Sequence, residues 1–283
     1  MPTPRLRTQR RSRRVDLAAV LLAPAGVLVI LLSQLFDGGR GTALLQGSAA
    51  LIVFGGTLGA VLLTYSPGDV LAACRAAMRA FQRPDKDSGA LVSTLVSMSI
   101  RAHRRGVLAL EHEADTIDDP FFREALALAV DGTSRELFRD LVVVEKSARD
   151  ADDEAPARVF ESAAGYAPTM GILGAVLGLM RVMQNIGSPS SLGDGIAVAF
   201  VATVYGVGAA NLVLLPVAGR LRESAARAAR RREVIVHGID AILRRLHPRL
   251  VARRLQVFSE NAPRVEEIAR QIPQVPVSAG HLA

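Results

Sequence analysis

Inside the last two apolar stretches of this 283-residue chain, few side chains can do chemistry: Tyr166, Thr169, Gln184 and Asn185 in one stretch, Thr203, Tyr205 and Asn211 in the other. Hydroxyls at such positions have two readings. They bond back to the carbonyl one turn earlier, or they line a path for an ion. No Asp or Glu stands in the interior of any of these stretches. If ions cross a membrane here, the titratable group that binds them comes from a partner. No Ser/His/Asp grouping, metal-ligand cluster or phosphate loop occurs, and the nearest of the five histidines, His103 and His112, lack a ligand spacing. The residues therefore predict no enzyme, no metal and no resident cofactor.

Four apolar segments must position those groups: Leu17–Leu35, Ala43–Tyr65, Ala163–Ile186 and Leu192–Val217. Each is about as long as a hydrocarbon core requires, roughly 17–25 residues. The fold class expected is all-α, a polytopic membrane protein with four transmembrane helices and a helical cytoplasmic domain. The spans fall in two pairs, joined by Phe36–Thr42 and Gly187–Ser191. Six arginines precede the first span, thirteen basic residues lie in Ser66–Ser162 and thirteen follow Val217, whereas the two short loops hold only Arg40. By the positive-inside rule both termini and the long loop face the cytoplasm.

Glycines and alanines mark where these helices can pack. Gly55 and Gly59 in the second span, Gly174 and Gly178 with Gly171 in the third, and Ala202, Gly206 and Ala210 in the fourth place small residues about one turn apart. In lipid, where no hydrophobic effect drives helices together, such faces allow close approach. They predict a tight oligomeric bundle. Leu17–Leu35 has the composition of a lipid-facing helix, with Pro24 a tolerated kink. Pro168 is expected to start the third span and Pro216 to end the fourth, at one depth near the cytoplasmic face. Arg181, about a turn from the outer end of the third span, is expected to snorkel to the interface.

Outside the membrane the reading is helical throughout. Asp119-Pro120 has the pattern of an N-cap followed by Pro at the first helical position, and Gly132 can close that helix. Ser134 is placed to cap a further helix through Ala151. Ile235, Ile239, Ile242 and Leu246 recur as an amphipathic stripe. The expected division is a basic arm 1–16, spans 17–65, a cytoplasmic helical domain 66–162, spans 163–217, a C-terminal helix 218–262 and a loosely ordered tail 263–283. The formal charge of +7 does not indicate a nucleic-acid binder, because aromatics are 4% and Trp is absent. No small-residue cleavage site follows Leu35, which argues against a cleaved signal peptide. The single Cys74 has no internal disulfide partner.

The run AAGYAPTMGILGAVLGLM (Ala163–Met180), followed by LGDGIAVAFVATVYGVGAANLVLLP (Leu192–Pro216), closely resembles the MotA family of flagellar motor stator subunits, within the MotA/TolQ/ExbB proton-channel group. GGTLGAVL (Gly55–Leu62), RRGVLALE (Arg104–Glu111) and DDPFFREALALAVDGTS (Asp118–Ser134) match the same family in order, over roughly residues 15–250. The resemblance implies a multi-pass subunit of the cytoplasmic (inner) membrane. It also implies a homo-oligomeric ring, a pentamer, around two single-span MotB-like helices, each bringing the ion-binding Asp. The transported ion would be the proton, and the work would be torque on the flagellar rotor's switch ring in motility and chemotaxis.

Site residues carry over one at a time. Pro168 and Pro216 match the family's two prolines, which couple ion binding to conformational change. Thr203 matches the fourth-span hydroxyl beside the ion path, and Phe200 lines the same face. Sodium-driven relatives place a Thr where this chain has Ala175; the missing hydroxyl favours proton use. The rotor-facing charges map to Arg104 and Glu111. The basic residue usual before Arg104 is His103 here, a departure that either makes that contact pH-sensitive or moves its charge to Arg101 or Arg105. A TolQ/ExbB-like subunit energising outer-membrane processes is the sibling alternative, but three spans and an outside N-terminus are usual there. A substrate transporter would show inverted repeats and broken mid-membrane helices, and the two span pairs share no such pattern.

Overall fold

The computed structural model describes residues 45–81, 88–114, 116–184, 187 and 189–258. The expected first span Leu17–Leu35, the arm 1–16 and the tail 263–283 lie outside the described residues. Among those described, every regular element is helical. Three helical stretches are long and apolar enough to cross a membrane: Gly47–Thr64, Arg135–Gln184 and Gly195–Leu243.

The chain divides into two compact units, one of residues 1–84 and 152–224, the other of residues 85–151 and 225–283. The first unit contains α1 (Gly47–Thr64), which is π-helical over Leu51–Gly55, and α2 (Pro67–Ala80). A capping box starts α2: Ser66 Oγ accepts from the Asp69 N–H at 3.2 Å, and an Asp69 carboxylate oxygen accepts from the Ser66 N–H at 3.3 Å. α2 belongs here, rather than with a loop domain 66–162, because Ala73 packs on Val61 and Val159, and Ala77 on Ala157 and Leu221.

The second unit contains α3 (Ser88–Arg105) and a 3-10 turn Val107–Leu110 entered through Gly106, whose φ of +82° favours glycine. The short α4 (Glu111–Ala114) and then α5 (Pro120–Val130) follow. Asp119 caps α5 as its sequence predicts, accepting from the Phe122 N–H at 3.3 Å. Gly132, at φ +77°, lets the chain leave it, with the Thr133 N–H donating back to Leu128 O.

α6 (Arg135–Gln184) gives residues 135–151 to the second unit and 152–184 to the first. Ser134 caps it through the Leu137 N–H at 3.3 Å, but the helix does not stop at Ala151 and no new helix starts at Pro168. It runs 50 residues with Pro156 and Pro168 inside it. Each proline removes one backbone hydrogen bond, yet Ala157, Ala164 and Ala167 remain buried between them. The change from charged to apolar composition is thus a change of environment, not the end of a helix.

α7 (Pro189–Gly208) passes through a π-helical stretch, Ala209–Leu214, into α8 (Leu215–Leu243). The helix therefore does not end at Pro216: the widened turn just before it accommodates its ring and missing donor. Asp194 lies in the second turn of α7. The stripe Ile235, Ile239 and Ile242 is buried in the second unit, with Leu246 packed against it. The expected continuous helix 218–262 is corrected as well. α8 stops at Leu243, Arg245 takes a left-handed φ of 53°, and α9 (Pro248–Leu255) begins anew with proline at its first position.

Candidate functional site

The seam between α6 and α7 is built from the small residues. A Cβ added to Gly206 would lie 2.5 Å from Ala167 O, one on Gly171 would lie 2.9 Å from Ala202 O, and one on Gly178 would lie 2.8 Å from Gly195 O. Gly174 sits against Ala202 Cβ at 2.6 Å by the same measure, and Ala210 closes the row with Ala164 and Ala167. Backbones this close leave no room for a side chain. The second-span pair behaves differently: a Cβ on Gly55 or Gly59 would meet no other helix, whereas one on neighbouring Gly56 would lie 2.8 Å from Met170 Sδ.

Around this seam the large apolar side chains point outward. Ile172, Val176, Leu179 and Met183 on α6, and Phe200, Val204 and Val207 on α7, are all exposed. Phe200 is 72% exposed one turn from Thr203, whose Oγ1 donates to Ala199 O at 3.3 Å. The back-bonded state of this hydroxyl is the one adopted. Ala175 is half-buried on α6, one turn from Gly171, whose added Cβ would lie 3.4 Å from Thr203 Cα. Ala175 and Thr203 thus flank one seam. Arg181 is exposed in the last turn of α6, where its charge suits the helix terminus.

Near Pro168, Tyr166 and Thr169, singled out in the sequence, join hydroxyls on Thr64, Tyr65 and Ser162 that sequence reasoning missed. Tyr166 Oη donates to Thr64 Oγ1 at 3.1 Å while Thr64 donates to Ala60 O, and Thr169 Oγ1 donates to Tyr166 O at 2.7 Å. Tyr65 Oη donates to Arg158 O and accepts from Ser162 Oγ at 2.9 Å. The available signal was hydroxyls at the facing ends of two spans; their pairing is tertiary. A further hydroxyl, on Thr57, is buried with no hydrogen-bond partner and lines an apolar cavity of about 660 Å³ with Val61, Phe160 and Leu212.

The charges expected to face a partner lie in the second unit, at the end of α3 and the turn after it. His103, Arg104, Arg105 and Glu111 are exposed. Arg101 is not available in the same way, because its guanidinium pairs with Glu113. Among the described residues Arg104, Arg105 and Glu111 form no ion pair.

Elsewhere in this unit the ions are committed internally. Asp240 is 3% exposed and takes Arg135 Nε at 2.9 Å and Arg244 Nε at 3.0 Å. Arg231 pairs with Asp119 at 2.8 Å, and Arg232 with Asp150 at 2.6 Å. Burial, followed by the nearby Arg254 charge, pushes the His237 imidazole below its usual pKa. Burial and the adjacent Glu124 raise the carboxyl of Glu145. No group of three or more His, Cys, Asp or Glu side chains among the described residues could hold a metal.

A chain of membrane-length helices joined by a small-residue seam, with hydroxyls along it and no carboxylate among the seam residues described, is a polytopic membrane protein of channel-subunit type. A profile of the MotA/TolQ/ExbB proton channel family matches residues 113–234. The chain is 34% identical over 229 residues to the uncharacterised protein YtxD of Bacillus subtilis, covering 81% of this chain and 83% of that protein. It is 30% identical to Motility protein A of the same organism over 247 residues, 87% of this chain and 90% of the relative. Its fold is similar to that in the flagellar MotAB stator complex of B. subtilis, with a TM-score of 0.77 at 27% identity over 92% of this chain and 100% of that one. The C. jejuni MotAB structure matches with a TM-score of 0.80 at 26% identity, over 88% and 98%. The chain belongs to the MotA/TolQ/ExbB proton channel family, a family of channels and not of enzymes.

Proposed function

We propose that this chain is a flagellar motor stator subunit. Four spans per subunit, the first being Leu17–Leu35, would assemble as a homo-oligomeric ring in the inner membrane around a single-span MotB-like partner. The partner supplies the carboxylate that the apolar interiors of α6 and α7 lack, and proton flow past Thr203, Phe200 and Ala175 is converted through Pro168 and Pro216 into movement of the cytoplasmic helices. The observation that carries this reading is the α6–α7 seam. Close-packed backbones with a hydroxyl flank and no interior acid suit a wall around someone else's titratable group. Similarity to MotAB chains over most of both lengths supports it. A proton needs an acid and water, whereas an alkali cation needs several oxygen ligands. Alanine at 175 therefore fits proton use.

The test is flux and motility together. Vesicles holding the purified subunit alone should pass no specific proton current, and those holding it with the single-span partner should. Cells that depend on this pair should stop swimming with a protonophore and ignore external sodium. A saturable current from the subunit alone, or speed that follows sodium at constant proton-motive force, would overturn the assignment.

A further inference from the structure

The arginines around α9 fall into two sets. Arg244 and Arg254 turn inward to Asp240, at 3.0 and 3.9 Å, and Arg254 also meets His237 Nδ1 at 3.2 Å. Arg245, Arg249 and Arg253 are exposed and form no ion pair among the described residues. Internal pairing therefore leaves these three charges unused.

α9 is locked to the element that carries Arg104. Its buried face, Val251, Ala252 and Leu255, joins the same core as Leu91, Leu95 and Met98 of α3. His247, its N-cap, accepts the Arg249 N–H on Nδ1 at 3.3 Å, and its ring meets His103 edge-on with centroids 5.6 Å apart. One imidazole contact thus places the start of α9 beside the residue preceding Arg104. Exposed apolar side chains accompany the charges, Leu108 in the 3-10 turn and Leu250 on α9.

We propose that Arg245, Arg249 and Arg253 join Arg104 and Arg105 in one composite basic surface that docks an acidic face of the rotor. The proposal rests on the stator reading. Its partner is a protein rather than a lipid surface because the unpaired carboxylate of Glu111 stands six residues beyond Arg105. An acid there is unfavourable against anionic headgroups and useful for register against a protein of mixed charge. The exposed leucines supply the apolar contact that a purely electrostatic membrane patch does not need.

The test uses the full-length chain with its single-span partner in motile cells, comparing R249E/R253E, R249Q/R253Q and R104E. The measurements are stator number on the rotor by fluorescent fusion, swimming speed, and complex abundance in the membrane. R249E/R253E should lower rotor occupancy by about five-fold, as expected for two exposed pairs reversed, with membrane abundance unchanged and the glutamine pair intermediate. An acid-to-base reversal on the rotor protein should restore part of the loss. Wild-type occupancy with R249E/R253E in cells where R104E is impaired would overturn the composite surface and leave the stator reading standing. If removal of the whole chain leaves motility unchanged, the stator reading fails and the proposal with it. Binding of the purified complex to anionic vesicles that vanishes in R249E/R253E, with normal rotor occupancy, would assign the surface to lipid and overturn it as well.

Discussion

The two units bury opposite kinds of residue. In the first, the buried positions are mostly alanine, glycine and valine, and the large apolar side chains are outside, Leu63 at 92% exposure among them. In the second, Phe121, Phe122, Phe138, Leu95 and Met98 are inside and the surface carries ion pairs. The difference follows from the solvent each unit meets. Water drives large apolar groups inward. Lipid is as apolar as leucine, so in a membrane only close backbone contact distinguishes inside from outside. One continuous helix, α6, obeys both rules in succession.

The largest expected effect tests the lipid-type seam. Gly206→Leu places a side chain where even a Cβ lies 2.5 Å from Ala167 O; separation of the helices is required, and recovery of assembled complex from membranes should fall to background. Gly165→Leu, at an exposed glycine with nothing within 4 Å, should leave recovery near wild type. Equal tolerance of both would mean that the seam does not hold this unit together.

Phe138→Ala is the counterpart in the water-type core. Full burial of this ring predicts a loss of about 3–5 kcal/mol, read as faster hydrogen exchange in α3, α5 and α8 of the detergent-solubilised protein. Leu63→Ala, also a large apolar side chain but exposed in the first unit, should change exchange little. A comparable loss from Leu63→Ala would break the contrast.

Asp240→Ala should cost somewhat less, about 1–3 kcal/mol, because its arginine partners reach partial solvent and can rehydrate. Thermal unfolding of the purified complex is the check, and Asp240→Asn should be milder.

A smaller effect depends on pH. His237 resists protonation in the folded state, so the unfolded chain, with an ordinary histidine pKa of about 6.5, takes up the proton first. Stability of the second unit is then complete above that pH and declines as pH falls below it. His237→Gln should flatten the slope of melting temperature between roughly pH 7 and 5. An unchanged slope would remove His237 from the account.

The smallest effect concerns Thr57. Its unpaired buried hydroxyl gains nothing within the chain, so Thr57→Val should leave assembly unchanged or slightly improved. Lost conduction in an assembled Thr57→Val complex would show that the hydroxyl serves the ion path.

Hydropathy and caps made much of this legible in one dimension. The apolar runs, the Asp119 and Ser134 caps, Gly132, the isoleucine stripe of α8 and the absence of interior acids all depend on near neighbours in the chain, and local sequence decided them. The lengths of α6 and α8 were not legible, because hydropathy registers the solvent around a helix whereas continuity depends on backbone bonds that survive Pro156, Pro168 and Pro216. Tertiary packing also decided that Gly56 rather than Gly55 or Gly59 meets another helix, that Arg101 is taken by Glu113, and that His247 comes to lie against His103. Each of these joins residues distant in the chain or selects one helix face among several, and composition carries no information about which face a neighbour will cover.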